Sequence, residues 1–180
     1  MIASPADVLA FWRDAGPDRW FEKDDAFDAA IRSRFLATYE AAARGELSAW
    51  EESPEGALAL LIVLDQFPRN MFRGSARSFA ADPLARDVAD RALTRGFDRD
   101  FPVAEREFFY LPFEHSEDAA DQERCCALFR ATGDAGLLKW AELHADIIRR
   151  FGRFPHRNAV LGRDSTPDEI EFLQAGGFGG

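Results

Sequence analysis

Four times along the chain a short polar side chain stands immediately before a proline: Ser4-Pro5, Ser53-Pro54, Asp82-Pro83 and Thr166-Pro167. A side-chain oxygen at the N-cap accepts from the free amides of a first helical turn, and proline suits that turn because its missing N–H would have no partner there. Ser4 with Asp7, and Thr166 with Glu169, add the acid three residues on that makes the capping reciprocal. Gly16, Gly45, Gly96, Gly133 and Gly152 read as the matching stops. Between these marks apolar residues recur at helical spacing, as in Leu84, Val88, Ala89 and Ala92, or Trp140, His144, Ile147, Ile148 and Phe151. No run alternates Val, Ile and Thr between hairpin turns, so no strand is predicted. The expected fold class is all-α: helices near residues 5–14, 24–44, 54–67, 83–95, 103–113, 119–132, 137–151 and 167–175. Short connections make consecutive helices antiparallel neighbours, and their spacing suggests TPR-like helix-hairpin stacking, although the tetratricopeptide consensus residues are not visible.

At 180 residues the chain fits one helical domain, predicted to span 1–175, with the glycine-rich 176–180 as a flexible tail. Hydrophobic residues make up 47% and charged residues 30%, too apolar for a disordered chain and too charged for a membrane one. The longest apolar run, Ala57 to Leu64, falls far below the roughly 20 residues of a bilayer-spanning helix. The first sixteen residues carry Asp7 and no early Lys or Arg, unlike a secretory signal, so the expected location is the cytoplasm. A net charge of -10 sets the chain against nucleic acid and anionic lipid, and neither is expected as a partner. Cys125 and Cys126 are sequence neighbours in a predicted helix, where a bond between them would be badly strained; they read as reduced core thiols.

Two segments nearly repeat each other: Phe67-Pro68-Arg69-Asn70 and Phe154-Pro155-His156-Arg157-Asn158. Each is expected to break a helix at its proline and then present a guanidinium beside an amide, a pairing that suits a carboxylate or phosphate. Asp65 falls on the apolar face of its helix with Leu58, Leu61 and Ile62, where a carboxylate needs a partner; Arg69 lies one turn on, and Arg153 or Arg157 are further candidates. A structural Asp–Arg pair explains this as well as a site does. Asn70 and Asn158 have an equally ordinary reading, as amides that satisfy loop carbonyls.

His144 sits on an apolar stripe, and the only other histidines, His115 and His156, lie in polar, proline-flanked segments that could converge with it. Glu114-His115-Ser116-Glu117 follows Pro112, and a serine beside histidine and carboxylates invites a nucleophile reading. Against it, there is no GxSxG elbow, and capping of the next helix by Ser116 or Asp118 explains the same letters. No HExxH or Glu-His ligand spacing appears, so no metal is predicted; no phosphate loop or dinucleotide fingerprint appears, so no cofactor is predicted. The aromatics Phe11, Trp12, Trp20, Phe21 and Trp50 read as packing.

The chain resembles a family of uncharacterised bacterial proteins grouped with the tetratricopeptide-like helical folds. The resemblance runs through Leu64-Asp65-Gln66-Phe67-Pro68-Arg69-Asn70, Phe108-Phe109-Tyr110-Leu111-Pro112-Phe113-Glu114-His115-Ser116-Glu117-Asp118, Asp121-Gln122-Glu123-Arg124, Arg153-Phe154-Pro155-His156-Arg157-Asn158 and Leu161-Gly162-Arg163. It implies an all-helical, repeat-like domain and supplies no reaction, cofactor or catalytic residue. Three functions then compete. The first is a binding module holding a small polar or anionic ligand between Asp65, Gln66, Arg69, Asn70, Glu114, His115, His144, His156, Arg157 and Asn158. The second is a hydrolase in which His115 or His156 moves protons beside Glu114, with or without metal assistance. The third is a scaffold for a peptide or protein partner, with the polar residues as internal bracing.

Overall fold

The computed structural model describes residues 1–179, and every element in them is helical. The chain forms two compact units: one comprises 1–73 and 77–112, the other 74–76 together with the chain from Phe113 onward. The first contains α1 (Pro5–Ala15), α2 (Pro17–Trp20), α3 (Asp25–Ala43), α4 (Pro54–Leu61), a π turn (Ile62–Gln66), α5 (Phe67–Met71), α6 (Asp82–Thr94) and α7 (Val103–Arg106). A single turn, α8 (Leu111–Glu114), lies at the boundary, and α9 (Ala119–Thr132), α10 (Ala135–Phe151) and α11 (Pro167–Gln174) follow.

Ser4, Ser53 and Thr166 cap their helices as the sequence predicts, with full capping boxes at Ser4/Asp7 and Thr166/Glu169. Asp82 does not: α6 begins at Asp82 itself, and its N-cap, Ala81, has only a methyl group and makes no side-chain capping bond. The carboxylate is instead drawn to Arg69, an ionic partner stronger than a backbone amide. Pro68 likewise fails to end its helix. The Phe67 amide reaches back five residues to the Ile62 carbonyl, and this wide turn shifts the carbonyls that a proline ring would strike. The helix resumes through Pro68, and the Phe72 amide bonds the Pro68 carbonyl at 3.0 Å. The predicted helix over 103–113 is broken up, with the 3-10 turn Glu107–Phe109 between α7 and α8.

In the first unit α4 packs against both α1 and α6, while α3 packs against α5 and the π turn. Rings fill the centre: Trp12 stacks on Trp20 with centroids 5.7 Å apart and meets Phe67 and Phe108 edge-on. Phe21, expected to pack, is 61% exposed. In the second unit α9 and α10 form a hairpin turned at Gly133 and capped by Asp134. Ile147, Ile148 and Phe154 make the core there, with Leu143, Phe151, Phe172 and Phe178 packed around it. Trp140, placed by its spacing on the apolar stripe of α10, is 55% exposed. No helix among the described residues is long and apolar enough to cross a membrane.

Candidate functional site

The ten candidate residues divide between the units: Asp65, Gln66, Arg69 and Asn70 in the first, Glu114, His115, His144, His156, Arg157 and Asn158 in the second. In the first, the π turn and α5 turn Asp65 inward, where it is buried. Gln66 Nε2 donates to Asp65 Oδ2 at 2.6 Å. Arg69 Nη1 donates to the Asp65 carbonyl at 2.6 Å and lies 3.3 Å from its Oδ1, while both Nη atoms fork Asp82 at 3.1 Å. Burial opposes the guanidinium charge, but Asp65 and Asp82 outweigh it and hold the Arg69 pKa above its ordinary value. Asn70 Nδ2 donates to Asp28 Oδ1 at 2.8 Å, and Asp28 is itself forked by Arg73.

The second proline turn repeats this plan. Asn158 Nδ2 donates to Glu169 Oε2 at 3.1 Å and to Ser165 Oγ at 3.0 Å. Arg153 forks Glu169 at 2.6 and 2.8 Å, and the Thr166 amide donates to it at 2.7 Å. These donors, Arg153 foremost, pull the Glu169 carboxyl down to a pKa of about 2. Arg163 forks Glu117, whose Oε1 also accepts the Phe154 amide at 2.8 Å. Gln122 Nε2 donates to the carbonyls of Phe113, Glu114 and Ser116, fastening the loop that carries His115. Ser116 Oγ accepts from the Asp118 amide and Asp118 caps α9, so the polar letters after Pro112 serve the turn.

His144 and His156 share one neighbourhood of this unit, both against Phe154 and Phe178. His144 Nδ1 lies 2.9 Å from the Trp140 carbonyl and 3.4 Å from Glu114 Oε1. Both oxygens accept, so Nδ1 carries a hydrogen. His156 is half-buried, and its Nδ1 is buried with no hydrogen-bond partner among the described residues. Burial, then Arg157, then His144 push its pKa down to about 3, with His115 adding a smaller push and Glu117 opposing. The ring is therefore neutral at physiological pH. The Arg157 guanidinium lies 4.5 Å above the Phe154 ring. Among the described residues no group of three or more His, Cys, Asp or Glu side chains is arranged to hold a metal ion.

Sequence reasoning missed Asp28, Gln122 and Phe178, and saw Glu169 only as a cap. Phe178 meets the His144 ring at 4.6 Å and the His156 ring at 5.3 Å, both edge-on. Two surface concavities lie on the second unit, of about 670 Å3 beside Arg150, Phe151 and Phe172 and about 530 Å3 beside Cys126, Arg130 and Glu142; no candidate residue lines either.

Fold and site together define an all-helical protein whose polar residues are gathered at two Arg–Asn turns and one imidazole cluster. The model of a family described as a bacterial protein of unknown function, DUF924, matches residues 8–177, and the chain belongs to that family. The structure is similar to the solved structure of the protein of unknown function ATU0120 from Agrobacterium tumefaciens, at 51% identity and a TM-score of 0.92, over 95% of this chain and 97% of that one. No curated protein matches the chain.

Proposed function

We propose that the second unit binds a small polar or anionic ligand at the imidazole cluster, with His156 as the directional contact and Arg157 as the source of positive charge. The observation that supports this reading is the His156 Nδ1: a buried ring nitrogen with no hydrogen-bond partner among the described residues is unfavourable, and a ligand atom would satisfy it. Glu114 braces His144 in the cluster, its Oε1 3.4 Å from Nδ1. In the first unit Asp65, Gln66, Arg69 and Asn70 are all engaged with one another or with protein carboxylates, which suits bracing. The test is a thermal-shift screen of small carboxylates, phosphate monoesters and sugars. A ligand at a hundred times its Kd adds about 2.7 kcal/mol, roughly 5–10 °C for a chain of this size. Stabilisation is expected in the wild type and lost in His156→Phe and Arg157→Ala, both still folded. A screen in which nothing raises Tm, or a shift that survives both substitutions, sinks the reading.

The hydrolase reading draws on the Glu114 carboxylate beside the His144 imidazole, the pairing that orients a general base. His156 itself, with a pKa near 3, is a feeble base at neutral pH, which favours binding over acid-base chemistry. The scaffold reading draws on Trp140, Leu161 and Ile170, exposed apolar side chains of the second unit, and helix-hairpin stacking draws on the α9–α10 pair. A cytoplasmic home is supported by Cys125 and Cys126, both buried and neither in a disulfide.

A further inference from the structure

Phe178 is held where it is by the end of α11. The Gly177 amide donates to the Phe172 carbonyl at 2.9 Å and the Gly176 amide to the Leu173 carbonyl at 3.2 Å, the paired bonds of a Schellman motif. Gly176 takes φ +80°, a left-handed conformation that a side chain would strain, and a Cβ on Gly177 would stand 2.6 Å from the Phe172 ring and carbonyl. The bend therefore requires glycine at both positions, and it delivers the next residue, Phe178, onto the His144 and His156 rings and the Ile147, Ile148 and Phe154 core. The ring is only partly buried and rests there by apolar and aromatic contact, which is readily broken and remade.

We propose that Gly176–Phe178 is a latch over the imidazole cluster: the seated Phe178 ring denies access to His144 and His156, and its withdrawal opens them to the ligand of the site proposed above, a reading on which the gating half of this proposal rests. The charged and titratable groups that act on the His156 ring are Arg157, His144, Glu117 and His115, and none of them belongs to the latch. Releasing the ring would thus uncover the imidazole without removing a charge from its surroundings.

The test uses the full chain in three forms: wild type, Phe178→Ala, and Gly176→Val, which strains the bend while keeping the ring. Diethyl pyrocarbonate carbethoxylates neutral accessible imidazole, and peptide mapping gives the rate at each histidine. His156 is expected to react about tenfold faster in both variants, because the rate follows the population of the open form. A His156 rate within twofold of wild type in folded Phe178→Ala overturns the latch. If that variant does not fold, as its melt would show, Gly176→Val decides on the same criterion. Inorganic phosphate then serves as the ligand probe: it is expected to stabilise the opened variants more than the wild type. Equal stabilisation of all three overturns the gating and leaves the ligand reading standing, whereas no stabilisation of any form counts against the ligand reading alone, the carbethoxylation rates still deciding the latch.

Discussion

Asn70 and Asn158 do the same work at two places in the chain. Each aims Nδ2 at one oxygen of a carboxylate that an arginine already forks, Asp28 with Arg73 in one case and Glu169 with Arg153 in the other. The arginine supplies charge, and the amide fixes which way the carboxylate faces. Removing the amide leaves a buried acceptor short of a donor, so Asn158→Ala is expected to cost about 1–3 kcal/mol in urea unfolding, with Asn158→Asp worse because it sets a second carboxylate against Glu169. Asp65→Ala is expected to cost about 3 kcal/mol, the lower end for a broken buried pair, because Asp82 still forks Arg69. A midpoint shift small enough to mean under half a kcal/mol in either case would show these residues to be idle. Asp65 with Arg69 was legible in the sequence because an acid on an apolar face one turn from an arginine has few other partners. Asp28 and Glu169 were not: they stand 42 and 11 residues from their asparagines and look like ordinary acids in the first turn of a helix. Phe178 was invisible for a different reason, since a lone phenylalanine among glycines carries no periodicity.

Helix starts were read from local chemistry, and local chemistry decided them wherever no long-range partner intervened. Ser4, Ser53 and Thr166 cap as their letters say; Asp82 does not, because Arg69 competes for its carboxylate. Pro68 shows the same limit from the backbone side, since the π turn ahead of it keeps a helix going where the local rule ends one. The glycine stops all take positive φ, at Gly16, Gly45, Gly96, Gly133 and Gly152. Gly56 is a case in which propensity points the wrong way. Alanine inside an exposed helix is favoured over glycine by up to about 1 kcal/mol. Here a Cβ would stand 2.1 Å from the Trp50 carbonyl oxygen, a backbone atom that cannot swing aside. Overpacking of this kind costs about 1–3 kcal/mol, so Gly56→Ala is expected to lower Tm by several degrees, and a rise in Tm would show that the Ser48–Glu52 turn yields freely.

Two of the groups whose pKa the fold lowers give the molecule an acid-side stability profile with separable parts. The His156 pKa is lowered from 6.5 to about 3, so the unfolded chain takes up this proton first as pH falls. Stability from His156 is therefore full above pH 6.5 and is lost as the pH drops toward 3. The Glu169 pKa is lowered from 4.5 to about 2, so its contribution is full above pH 4.5 and fades toward pH 2. Both act in the same direction but in different windows. The charge of the whole chain works the other way, since protonating exposed carboxylates relieves the self-repulsion of a net charge of -10. Those carboxylates titrate near pH 4, so between pH 6.5 and about 5.5 they stay almost fully ionised and the histidine slope stands clear of them. Urea midpoints measured across that upper window are expected to fall with pH in the wild type and to flatten in His156→Gln. Glu169→Gln should leave the upper slope intact and flatten the curve only below pH 4.5. If His156→Gln kept the full slope from pH 6.5 to about 5.5, the ring would be titrating as it does in water, and a half-buried imidazole held uncharged against Phe178 would no longer describe the folded chain.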